Sequence, residues 1–199
     1  MNNKDIIDGI YVSELTLNDI NPQLFEKMTL EEKLDVLECT DIDFHCLDSV
    51  WDISYYGVPA VDLCEKGISI NDFKAMNPEE RVALLKEKGL DYNLLDDIFT
   101  DEIDGIGLYV LADYGISFSD FEKMSPLDRV EVLKQHSGKL IIPDSIYESQ
   151  TDNISWDMLL KADIDISEFN KSDTPSRIKL LQKKGIDPRL LDSYDDVWM

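Results

Sequence analysis

Positive charge is what this chain has least of. Its 199 residues hold 19 Lys and Arg against 42 Asp and Glu, a net charge of −23. An excess of acid on this scale repels nucleic acid and anionic membranes and favours partners with basic surfaces. Histidine is almost as scarce: only His45 and His136 occur, so acid–base chemistry would rest on carboxylates. No nucleophile stands in a recognisable pattern with a base, and Gly105-Ile106-Gly107 lacks the remaining glycine of a dinucleotide-binding loop. We therefore expect no enzyme and no cofactor.

Cysteine is limited to Cys39, Cys46 and Cys64, an odd number that gives no disulfide framework. Together with His45 they include zinc-ligand types, but at no standard ligand spacing, and free buried thiols are the expectation. Asp41-x-Asp43 and Asp163-x-Asp165-x-Ser167 open like calcium loops. Both lack the glycine and the distal glutamate that such loops require, so no metal is expected. No apolar run approaches the ~20 residues that span a bilayer. The opening MNNKDIIDGI has no signal-peptide apolar core. A cytoplasmic protein without membrane or direct nucleic-acid contact is expected.

What the chain does have is a period. Phe25, Phe73, Phe121 and Phe169 stand 48 residues apart, and other columns keep step without a gap. Leu15, Leu63, Leu111 and Leu159 precede each Phe, as do Ile20, Ile68, Ile116 and Ile164. After it come the helix-capping types Thr29, Asn77, Ser125 and Asp173, then the cations Lys33, Arg81, Arg129 and Arg177. An acidic column, Asp48, Asp96, Asp144 and Asp192, follows, and Gly9, Gly57, Gly105 and Asn153 lead each copy. Such self-similarity marks a repeat architecture.

The expected fold is all-α: a single domain over 1–199, a solenoid of four 48-residue repeats at 8–55, 56–103, 104–151 and 152–199. Each repeat reads as two helix-plus-short-turn halves. In the second, a helix over Val58–Lys66 ends at Gly67, Ser69 caps a short turn carrying Phe73, and Asn77-Pro78-Glu79-Glu80 opens a longer helix closed by Gly89. No stretch shows the sustained alternation of a strand. Net charge by repeat is −10, −6, −4 and −3, so the acid thins along the chain.

The Phe, Arg and Asp columns (Phe25, Phe73, Phe121, Phe169; Arg81, Arg129, Arg177; Asp48, Asp96, Asp144, Asp192) are expected to maintain the repeat. In this reading each Asp pairs with the basic column or caps a turn. Trp51, Phe99 and Tyr147 form another column, expected in the core. The candidate partner surface is an acidic stripe of Asp41, Asp43, Asp52, Asp97, Asp101, Glu102 and Asp104. The aromatics Tyr55, Tyr56 and Trp198 are added as anchors. The chain reads as a non-enzymatic protein-binding adaptor for a partner with a basic surface. The alternative is a nucleic-acid mimic that inhibits a DNA- or RNA-processing protein by filling its basic groove. Self-association through the ends of the solenoid is a further possibility.

Overall fold

The computed structural model describes residues 5–197, Val197 by its backbone alone. The chain divides into two compact units, Met1–Asp101 and Glu102–Met199. In the first unit the order is β1 (Ile6–Ile7), β2 (Ile10–Tyr11), α1 (Val12–Leu17), α2 (Pro22–Phe25), α3 (Leu30–Leu37) and α4 (Asp48–Asp52). The order then repeats as β3 (Ser54–Tyr55), β4 (Val58–Pro59), α5 (Ala60–Glu65), α6 (Ile70–Ala75), α7 (Pro78–Lys88) and α8 (Asp97–Thr100). The second unit runs through β5 (Glu102–Ile103), β6 (Ile106–Gly107), α9 (Leu108–Tyr114), α10 (Phe118–Lys123), α11 (Pro126–Ser137) and α12 (Asp144–Tyr147). It closes with β7 (Gln150–Thr151), β8 (Ile154–Ser155), α13 (Trp156–Lys161), α14 (Ile166–Lys171) and α15 (Thr174–Lys183). Short 3-10 turns stand before α4 and α8 and after α15.

The fold is mostly helical with small antiparallel strand pairs, and those pairs correct the all-α expectation. Each pair is a hairpin closed by two residues at positive φ: Asp8 and Gly9, Tyr56 and Gly57, Asp104 and Gly105, Asp152 and Asn153. Two consecutive left-handed residues are the signature of the type I′ turn, whose twist suits a two-residue hairpin. The leading glycine column is therefore a turn position. With each strand two residues long, no alternation could develop in the sequence. The structural segments begin at Ile6, Ser54, Glu102 and Gln150, two residues upstream of the boundaries read from the sequence, which cut through each hairpin. Val58 and Pro59, expected at the start of a helix, are strand β4.

The helix signals fare better. Thr29, Asn77, Ser125 and Asp173 each accept the backbone N–H three residues on, and Thr29–Glu32 and Asn77–Glu80 complete reciprocal capping boxes. Gly89 and Gly138 end α7 and α11 in the left-handed conformation. The core is built from the same columns in both units. Phe25, Phe73, Phe121 and Phe169 are fully buried, as are Leu15, Leu63, Leu111 and Leu159. Burying one such side chain contributes about 1.5–3 kcal/mol. In the second unit Phe169 packs in one cluster with Ile154, Leu159, Ile166, Leu181 and Leu191.

Candidate functional site

A two-stranded hairpin of four paired residues is marginal by itself, and here three of the four are tied down by a carboxylate at the first turn position. Asp8, the first turn residue, accepts through Oδ1 from the Ser49 backbone N–H at 2.7 Å. Its Oδ2 accepts from Ser49 Oγ at 2.6 Å and from Lys33 Nζ at 2.7 Å. Asp104 repeats the arrangement with Ser145 and Arg129, and Asp152 with Ser193 and Arg177. Burial alone would raise these three carboxyls. The hydrogen bonds from serine and from the cation outweigh it and hold all three below the ordinary value.

The basic column does more than pair. Nε of Arg81, Arg129 and Arg177 donates to the carbonyl of Phe73, Phe121 and Phe169 at 3.0–3.1 Å. Each guanidinium also lies over that ring, 5.4–5.9 Å from its centroid. The second segment departs from the others. Tyr56 takes the turn position where the other segments have Asp, and Asp97 takes the position where they have Ser. Arg81 accordingly pairs with Asp97.

These contacts correct two expectations. The basic column pairs with Asp8, Asp97, Asp104 and Asp152, not with Asp48, Asp96, Asp144 and Asp192. The latter hold the turn through their backbone N–H groups, which donate to the carbonyls of Asp8, Tyr56, Asp104 and Asp152 at 2.9–3.3 Å. Their side chains are exposed. Second, Asp97 and Asp104 are engaged inside their units and do not belong to an open acidic stripe. Asp41, Asp52, Asp101 and Glu102 are exposed. Asp43 is exposed but occupied: it caps the 3-10 turn Phe44–Cys46 and meets His45 Nδ1 at 2.7 Å.

Two of the aromatic candidates are engaged within the first unit. The Tyr55 hydroxyl donates to Glu31 Oε1 at 3.1 Å, and burial together with the Glu31 charge pushes its pKa to about 12. Tyr56 lies under Arg81 and donates to the Lys74 carbonyl at 3.2 Å. Trp198 lies outside the described residues. The column expected in the core turns outward instead: Trp51, Phe99 and Tyr147 are 57%, 54% and 53% exposed. They sit on the equivalent helices α4, α8 and α12, whose inward positions are already filled by Val50, Ile98 and Ile146. Recurrence was the available signal, but it marks a repeated surface as readily as a repeated core.

Around Trp51 the surface is elaborated. Its indole N–H donates to the His45 carbonyl at 3.0 Å. The His45 ring stacks on Phe44 with centroids 4.1 Å apart. The imidazole is held between Asp43 and Glu65, the latter at 3.3 Å from Nε2, and both carboxylates raise its pKa. The thiols also differ from expectation: Cys39 and Cys46 are exposed, and Cys64 is half-buried with its pKa raised by burial. Among the described residues no group of three or more His, Cys, Asp and Glu converges as a metal site would. Among them, too, no helix is long and apolar enough to cross a membrane. No protein-family model, no curated protein and no solved structure matches the chain.

Proposed function

We propose that the chain is a helical-repeat solenoid that acts without catalysis, as an adaptor or effector binding another protein with a basic surface. The observation that carries this reading is the column Trp51, Phe99 and Tyr147: large aromatics kept outside at one repeated position, in both units, on helices whose inward faces are already packed. Aromatics exposed in this way anchor protein interfaces, where a few of them supply much of the binding energy. The net charge of −23 supplies long-range attraction toward a cationic partner.

A second reading, mimicry of a nucleic-acid backbone, is favoured by one observation. Asp48, Asp96, Asp144 and Asp192 are exposed at a fixed sequence interval. The two readings separate by salt. Capture from native lysate on immobilised full-length chain, followed by a wash at about 0.5 M salt, where screening falls below ~8 Å, retains a partner anchored by aromatics. It releases one held by charge alone. Release of every captured protein by that wash contradicts the adaptor reading.

A further inference from the structure

In the first unit α3 and the 3-10 turn after it face the junction between α5 and α6 across a groove of about 510 Å³. Its floor is apolar, built from Leu37, Ile42, Ile68 and Ile70, each 3–7% exposed. Its lining carries Glu31, Asp35, Glu38 and Asp43 and neither Lys nor Arg. The second unit holds a groove of about 570 Å³ in the same register. Val130, Glu131, Leu160, Ile164 and Ile166 stand where the first has Leu34, Asp35, Cys64, Ile68 and Ile70. Its acids are Asp128, Glu131, Asp163 and Asp165, with one cation, Lys134, at the position of Glu38. Both volumes fall within the range of about 300–1,000 Å³ typical of ligand-filled clefts.

We propose that each unit carries one docking groove for an extended or helical segment of a partner protein in which Lys or Arg flanks aliphatic side chains. This rests on the protein-binding reading and names the segment that reading lacks. The charge complementarity is specific. An aliphatic side chain covers the isoleucine floor, while cations on either side of it meet the acids along the rim. Glu31 already meets Lys74 at 2.8 Å and Asp43 meets His45 at 2.7 Å, so in the first groove a neutral apolar segment leaves Asp35 and Glu38 desolvated without a cation. A purely cationic segment leaves the floor wet. The groove of the first unit, acidic throughout, binds such a segment more tightly than that of the second, where Lys134 opposes it. The Phe44, His45 and Trp51 array borders the first groove, since Phe44 lines it and stacks on His45.

The test uses the full chain with methyl-labelled isoleucine, titrated with the peptide KKLLKLLKK. The charge-matched KKSSKSSKK and the charge-reversed EELLELLEE serve as controls. The expected result is saturable shifts at the Ile68, Ile70, Ile164 and Ile166 methyls, with the serine peptide bound at least about tenfold more weakly and the acidic peptide not at all. Reversing two exposed acids, Asp35→Lys with Glu38→Lys, weakens the response at Ile68 and Ile70 about tenfold and leaves Ile164 and Ile166 responding. Equal binding of the serine peptide, or shifts confined to other methyls, overturns the proposal. So does sedimentation showing that a second copy of the chain excludes the peptide. A lysate partner indifferent to the charge reversal removes the groove assignment and leaves the protein-binding reading standing. Absence of any salt-resistant partner removes that reading, while the methyl shifts still report on the groove.

Discussion

The guanidinium of Arg81 lies over the ring of Tyr56, its central carbon 3.3 Å from the ring centroid. Tyr56 also carries φ of 51°, a left-handed conformation that is costly for a bulky residue. The ring replaces the turn carboxylate of the other segments, and Asp97 on α8 returns a carboxylate to Arg81. Position 56 and position 97 have thus exchanged their usual roles. Asp97→Ser alone leaves Arg81, 5% exposed, without a counterion, and costs about 3 kcal/mol. Combining it with Tyr56→Asp restores the arrangement of Asp104 and Ser145 and recovers most of that loss. Urea denaturation of wild type, both single variants and the double variant measures the coupling. Additive effects would show that the exchange is incidental.

Acid acts on the turns. The carboxyls of Asp8, Asp104 and Asp152 are depressed below 3.8 in the folded chain. A depressed group contributes stability that is present above its unfolded value and is lost as pH falls through its folded value. The contribution therefore begins to fall below about pH 4 and is gone only below the folded value. Asp104→Asn lowers the melting temperature at pH 7 but narrows the gap between pH 7 and pH 3, as thermal melts at the two values will show. An undiminished gap would mean that other groups carry the acid sensitivity.

His45 responds in the opposite direction. Its hydrogen bonds to Asp43 and then Glu65 raise its pKa above 6.5. What protonation contributes to this contact is fully present below 6.5 and is lost as pH rises through the folded value. The imidazole resonance of His45 should titrate with a midpoint above 6.5, and Asp43→Asn with Glu65→Gln should bring it back toward that value. A wild-type midpoint at or below 6.5 refutes the clamp.

Turn position two tolerates little. A Cβ on Gly57, at φ of 85°, would stand 2.1 Å from the Leu94 carbonyl oxygen. Asn153 occupies the corresponding place in the last segment and donates through Nδ2 to the Leu190 carbonyl at 3.2 Å. Gly57→Asn should therefore be milder than Gly57→Val, because asparagine accepts the left-handed conformation and a β-branched residue does not. Chemical denaturation of the two variants checks the order, and equal losses would mean that the steric contact alone decides.

Much of this was legible in the sequence. The period, the Phe and Leu core, and the caps at Thr29, Asn77, Ser125 and Asp173 rest on local chemistry that any helix start or buried stripe must satisfy. The hairpins are hard to see in the sequence, because two-residue strands leave no alternation. Yet Asp8-Gly9 and Asp104-Gly105 were type I′ turn pairs in plain view. The acidic partner of the basic column is hard to read for a related reason. Asp8 lies 25 residues before Lys33, and Tyr56 breaks the turn column, whereas Asp48 and its equivalents recur without exception. The outward turn of Trp51, Phe99 and Tyr147 depended on which positions of a five-residue or four-residue helix reach the core. Spacing over so short a stretch does not decide that.

The most direct test of the protein-binding account is the affinity of the captured partner for wild type and for the Trp51→Ala, Phe99→Ala, Tyr147→Ala triple variant, measured by calorimetry at about 0.5 M salt. Truncation of exposed anchors at an interface costs about 2 kcal/mol or more, so the account predicts at least a ~30-fold loss with the fold intact by circular dichroism. An unchanged affinity would contradict it.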